Sequence, residues 1–153
     1  MRGGKLLHSN YTDSHENLIE LYSVKDHREG NICRVEFCPE DPRDLDKPDK
    51  YKLRIDEERT PDWFDVPAQE KTIKEMRKII TGMIVNKPID ILLGGAYILA
   101  EGAWVRFADH ARLIMCGGTL TEMWGGTLTE MRGGTLTEMR GGEIVKNKPT
   151  KVM

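Results

Sequence analysis

Gly117–Trp124 reads GGTLTEMW, Gly125–Arg132 reads GGTLTEMR and Gly133–Arg140 reads GGTLTEMR again, before Gly141-Gly142-Glu143-Ile144 opens a fourth copy that decays. Upstream the copies lose their identity but keep their phase. Val105, Leu113, Leu120, Leu128, Leu136 and Ile144 form an apolar column stepping by eight with one step of seven, and Met115, Met123, Met131 and Met139 form a second column stepping strictly by eight. Eight is not a helical period, and a helix with Gly-Gly in every repeat would lose about 2 kcal/mol per repeat relative to alanine. Thr-Leu-Thr favours a strand, and Gly-Gly supplies the positive φ of a tight corner. One octapeptide is too short to close around a packed interior. Two make a coil of 16 residues, two-sided or four-sided, stacking on its neighbours at about 4.8 Å.

The fold class this predicts is a β-solenoid, with two octapeptides per coil, over residues 92–146. Leucines and methionines point inward, where each buried leucine contributes roughly 1.5–3 kcal/mol. Threonines, glutamates and arginines point outward. Strict alternation would put Glu122 on the face of Leu120, so the strand must turn or bulge near the glutamate.

Residues 1–91 do not repeat and read as an α+β unit that caps the solenoid. Asn17–Val24 fits a strand or a short helix. Asn31–Cys38 and Tyr51–Ile55 alternate as half-buried strands flanking a Pro- and Asp-rich loop, which predicts an antiparallel hairpin. On this reading Cys33 and Cys38 share a strand and point to opposite faces. Val66–Val85 reads as a helix, with Asp65 as its cap, Pro67 in its first turn and a buried stripe of Ile73, Met76, Ile80 and Met83. That helix is suited to cover the solenoid's open end. Lys146–Lys151 carries the charges and proline that blunt a sheet edge, and residues 147–153 form a tail. Burying the last coil would be achieved most economically by a two-fold dimer through it, with Lys146, Lys148 and Lys151 at the rim.

Twenty-three basic against 25 acidic side chains leave a net charge of −2, so no global field favours nucleic acid. No apolar run approaches the roughly 20 residues needed to span a bilayer, and Met1–His8 has no apolar signal-peptide core. A cytoplasmic protein with no membrane contact is expected. Cys33, Cys38 and Cys116 form no CxxC pair, and reduced thiols are expected. His8, His15, His27 and His110 show no ligand spacing, and His27 lies in turn-like sequence, Lys25–Gly30. Asp56–Asp65 (DEERTPDWFD) holds five carboxylates beside Trp63 and Phe64. It reads first as a solvated loop packed on the helix start, and second as a metal or sugar site or a general acid–base pair. No nucleotide-binding glycine motif or nucleophile elbow is present. No enzyme activity, metal or cofactor is expected.

The octapeptide repeat resembles short-repeat β-solenoids. Its 16-residue double period is similar to bacterial ice-nucleation repeats, and its glycine-cornered coils are similar to pentapeptide-repeat proteins. These likenesses rest on Gly94–Ile144 and on Thr119/Thr121, Thr127/Thr129 and Thr135/Thr137. The serine-rich, tyrosine-containing signature of the former and the five-residue period of the latter are missing. The whole chain also resembles bacterial and phage proteins that join an Asp-Trp-Phe segment and a helix to glycine-cornered octapeptides, which implies a bacterial or phage-infected host cell as its setting. The pentapeptide likeness brings DNA mimicry into view. Gly117–Gly142, however, holds Glu122, Glu130 and Glu138 against Arg132 and Arg140, three minus two, a net of −1 that falls far short of duplex charge density.

Three functions compete. The leading one is a non-enzymatic recognition protein, such as a phage or bacterial factor that binds and inhibits a host protein. Its candidate contact residues are the outward Thr119, Thr121, Thr127, Thr129, Thr135 and Thr137 with Glu122, Glu130 and Glu138. The second is ice or polysaccharide binding through the threonine ladders. The third is a carbohydrate-active enzyme using the acidic segment around Trp63.

If a coil takes two octapeptides, deleting one should be tolerated worse than deleting two, because a single deletion sends every downstream residue to the opposite side. Comparable soluble yields and melting temperatures for the two deletions would instead show interchangeable half-coils.

Overall fold

In a computed structural model of the chain, residues 5–9, 14–24 and 31–145 are described. Lys25–Gly30 and the tail from Lys146, both read above from sequence, lie outside them. The chain forms two compact units, one of Met1–Glu40 and Lys47–Ile80, the other of Asp41–Asp46 and Thr81–Met153.

In the first unit, Ser14 resolves the ambiguity over Asn17–Val24. Its hydroxyl accepts from the Asn17 amide at 3.3 Å and starts helix α1, His15–Leu21. Strands β1 (Val35–Pro39) and β2 (Tyr51–Ile55) pair antiparallel as expected, with Val35 opposite Ile55 and Pro39 opposite Tyr51. The first strand starts later than Asn31. The Arg34 carbonyl still accepts from the Asp56 amide at 2.9 Å, but the Arg34 amide donates to the Glu57 carboxylate at 3.1 Å, so a side chain takes over one half of the ladder there. Cys33 therefore precedes the strand and does not share it with Cys38. Between the strands, Asp41 caps a short 3-10 turn, accepting from the Arg43 amide at 2.9 Å.

Helix α2 spans Val66–Met83, and the Asp65 carboxylate caps it by accepting from the Ala68 amide at 3.1 Å. Its apolar stripe is half-buried along its length rather than fully buried. The helix also ends before Val85. Ile84–Val85 becomes β3, the first rung of the second unit, where Val85 is buried and β-branched side chains favour a sheet.

Eight more strands follow: β4 (Pro88–Leu93), β5 (Ala96–Leu99), β6 (Trp104–Asp109), β7 (Ala111–Met115), β8 (Thr119–Met123), β9 (Gly126–Met131), β10 (Thr135–Met139) and β11 (Glu143–Ile144). Even strands build a parallel sheet in the order β10-β8-β6-β4, and odd strands build another in the order β11-β9-β7-β5-β3. This is a two-sided β-solenoid of about four turns. Its ladder begins at Ile84, upstream of Leu92. Thr119 lies beside Thr135 and Leu120 beside Leu136, the 16-residue coil of two octapeptides.

The single step of seven has a structural counterpart. Val105 pairs with Leu120 and Leu113 with Leu128, a spacing of 15. Leu113-Ile114-Met115 is one residue shorter than Leu-Thr-Glu-Met. The register shifts at Leu113/Ile114 against Leu128/Glu130, passing over Thr129, and Met115 returns to Met131 at a spacing of 16. The irregularity falls beside the glutamate, where alternation had to fail. Thr121 and Glu122 both face outward between buried Leu120 and Met123.

Leu99, Val105, Leu113, Met115, Leu120, Met123 and Leu128 have no exposed surface. The columns open at the last coil, where Leu136 is half-buried and Met139 and Ile144 are 37% and 41% exposed. At the corners both glycines admit the neighbouring coil. A Cβ on Gly133 would lie 2.6 Å from the Cys116 carbonyl of the coil before, and one on Gly134 would lie 2.5 Å from the Gly117 carbonyl. Gly134, at φ +84°, also turns the chain. Between β6 and β7 a single residue, His110 at φ +53°, makes the corner instead.

Leu128→Ala should destabilise the protein by about 2–5 kcal/mol, while Thr129→Ser should cost less than about 1 kcal/mol. Equal and small effects in denaturant melts would place the leucines outside the core.

Candidate functional site

The outward positions of the even sheet form a regular grid. Pro88, Trp104, Thr119 and Thr135 share one column, and Ile91, Phe107, Glu122 and Glu138 share another. Thr119 and Thr121, and on the next coil Thr135 and Thr137, therefore make a block two coils deep. Above it the same columns hold Trp104 and Arg106, so the threonine array ends there. Glu122 and Glu138 flank it. The other predicted contact residues, Thr127, Thr129 and Glu130, lie on the odd sheet. Two-sided coiling separates the nine residues into these two sets.

On the odd face the threonines and glutamate have local partners. Arg112 Nε donates to Thr129 Oγ1 at 3.3 Å, and Thr127 Oγ1 lies 3.5 Å from Glu143 Oε1. Arg132 pairs with Glu130 at 2.9 Å, and its other guanidinium arm donates to the Pro42 carbonyl. Asp41–Asp46 thus reaches this face from within the same unit.

The even face carries what the repeat alone did not reveal. Ile91, Leu93, Trp104 and Trp124 are 47%, 68%, 45% and 48% exposed. Ile91 is the ladder neighbour of Phe107, whose ring meets Trp124 edge-on at 5.3 Å between centroids. Trp124 is held from several sides. Its indole N–H donates to Glu122 at 2.7 Å, and the Arg140 guanidinium lies 5.3 Å over its ring. Arg140 in turn pairs with Glu138 at 3.0 Å and lies 3.6 Å from Glu122. One coil away, Arg106 grips Asp90 with two bonds of 2.6 and 2.8 Å, and its hydrogen bonds hold the Asp90 carboxyl below the usual carboxylate range. Asp90, Asp109, Glu122 and Glu138 against Arg106 and Arg140, four minus two, give this face a net charge of −2. A signal was present in the sequence: Trp124 stands where the later octapeptides carry arginine, and Trp104 falls in a threonine column.

Three of the five carboxylates in the acidic segment near Trp63 have structural partners. Asp56 lies 3.4 Å from His15, Glu57 binds Arg34 at 3.1 Å, and Asp65 caps α2. Phe64 is buried, with Trp63 edge-on at 5.7 Å. A cavity of about 360 Å³ in the first unit is lined by Asp49, Tyr51, Lys52, Leu53, Ile55, Gln69, Ile73 and Arg77, with no histidine, cysteine or serine among them. Among the described residues, no group of three or more His, Cys, Asp or Glu side chains is placed to hold a metal ion, and no helix is long and apolar enough to cross a membrane. Comparison with protein-family models, curated proteins and solved structures finds no match for this chain.

Burial, reinforced by the nearby Asp46 charge, pushes the Cys116 thiol up to about 11. An unfolded cysteine ionises near about 8.5. Between those values the folded state keeps a proton that the unfolded state has lost. The stabilisation is therefore complete below the unfolded value and is lost as pH rises toward the folded one. Cys116 should alkylate far more slowly in the native protein than in denaturant at pH 8.5, as peptide mapping would show. Equal rates would mean that the thiol is not shielded.

Proposed function

We propose that this chain is a cytoplasmic, non-enzymatic recognition protein whose partner is another protein, bound on the outward face of the even sheet. The observation that carries this reading is the apolar stripe of exposed Leu93, Ile91 and Trp124 joined through half-buried Phe107, with exposed Trp104 nearby, on the outward face of the sheet. Scattered exposed apolar residues are ordinary, but a contiguous stripe with polar groups at its rim is the anatomy of an interface. Tryptophan is the residue most often found to dominate such contacts. Trp124 is already fixed by Glu122, Phe107 and Arg140, so little side-chain freedom is lost on binding. The acidic fringe favours a basic partner surface. The resemblance to bacterial and phage solenoids supports a host protein, inhibited by this chain, as that partner.

The threonine reading has less support. A block two coils deep, interrupted by Trp104 and Arg106, is a small array for ice or a polysaccharide. The same chain is a second protein partner in this proposal, joining as a homodimer through its C-terminal coil.

Co-precipitation from host cells followed by titration with the identified partner tests the surface. Trp104→Glu and Trp124→Glu should leave circular dichroism nearly unchanged, and each should weaken binding about 30-fold, the equivalent of about 2 kcal/mol for a central aromatic. Thr135→Ala with Thr137→Ala should bind as the parent does. If the threonine variant loses binding and the tryptophan variants keep it, the site is the threonine block and the proposal falls.

A further inference from the structure

We propose that two copies of this chain join by antiparallel pairing of β10 with β10, about a two-fold axis through the Thr137–Glu138 peptide. This rests on the reading of the C-terminal coil as the homodimer contact and assigns its register. Among the described residues β10 has β8 on one side and no strand on the other. That edge specifies the chemistry of its occupant. A row of backbone N–H and C=O groups is matched by another extended chain, which neither a sugar, a nucleic acid nor a lipid supplies. The inner columns stop at the same place. Met139 and Ile144 are 37% and 41% exposed, whereas Leu120, Met123 and Leu128 are fully buried.

A second copy fits for two reasons. Coil-on-coil packing of identical sequences already occurs within the chain, with Leu136 beside Leu120 and Met139 beside Met123. The face pattern of the last even strand is also symmetric. From Thr135 to Arg140 the side chains run outward, inward, outward, outward, inward, outward, in the pattern that β8 shows over Thr119–Trp124. The two adjacent outward residues make this run read the same in both directions, which a strictly alternating run of six would not. Reversing the strand about its centre therefore sets Leu136 against the partner's Met139 inside. Outside, it sets Thr137 against the partner's Glu138, and Thr135 against the partner's Arg140. An isologous contact needs this self-complementarity. The two glutamates near the axis each keep their own Arg140 at 3.0 Å, so they do not meet as bare charges.

The full chain should run as a dimer in light scattering at micromolar concentration. Thr137→Cys, close to the axis and facing outward, should give a disulfide-linked dimer under mild oxidation, because paired strands bring such residues within the roughly 4.4–6.8 Å Cα separation of a disulfide. Thr121→Cys, one coil away, should not. Peptide mapping would assign the bond against the native cysteines. Met139→Lys, at a position already part-exposed in the protomer, should weaken the dimer at least tenfold with unchanged circular dichroism. A monomer at high micromolar concentration would overturn the proposal. So would a dimer that resists Met139→Lys, or one in which Thr137→Cys fails to cross-link. A monomer that dimerises once residues 146–153 are removed would show that the chain's own tail occupies the edge. Loss of the dimer with binding through Trp104 and Trp124 intact would leave the recognition surface standing.

Discussion

The whole second unit depends on how closely one coil approaches the next. Stacked strands lie about 4.8 Å apart, and the corners must close at that spacing as the flat sides do. At Gly133 a methyl group would lie 2.6 Å from the Cys116 carbonyl, and at Gly134 the backbone turns through φ +84°. A side chain at either glycine would push the coils apart and withdraw the leucines and methionines from their columns. Corner glycines and inner columns are therefore one constraint, met every eight residues from Gly117 onward.

That division of labour frees the outer faces. Thr119, Thr121, Glu122 and Trp124 are not needed to fill the interior, so outward positions can change without disturbing the coil. Near-identical octapeptides lie next to degenerate ones for the same reason. β6 carries Trp104, Arg106 and Phe107 where β8 carries Thr119, Thr121 and Glu122, and both keep an inward residue at the same height. Val105 stands beside Leu120 and Ala108 beside Met123, all four in one core. Ion pairs such as Asp90–Arg106 lie in water and add little stability. They order the face more than they hold the fold.

The first unit follows a different logic. Its carboxylates cap and tether, with Asp65 on α2 and Glu57 on the start of β1. An acidic stretch beside two aromatics suggested chemistry in the sequence, but three of its five carboxylates have structural partners. The half-buried stripe of α2 shows a small unit with a thin core, consistent with a chain that is 31% charged.

Period, corner and column were legible in the sequence because each is local. Eight residues exclude a helix, Gly-Gly marks a corner, and Leu-x-x-Met sets the inward pair together with the bulge it requires. The hairpin and the cap of α2 followed from equally local patterns. Tertiary structure alone decided what depends on neighbours distant in sequence. The end of α2 at Met83 depends on Val85 finding a place in the first rung beside Leu99. The start of β1 depends on Glu57, more than 20 residues away. Splitting the nine candidate residues between two faces depends on coil handover from one octapeptide to the next. The stripe that joins Ile91, Phe107 and Trp124 spans 34 positions of chain, and only stacking at a spacing of 15 and 16 residues brings it together.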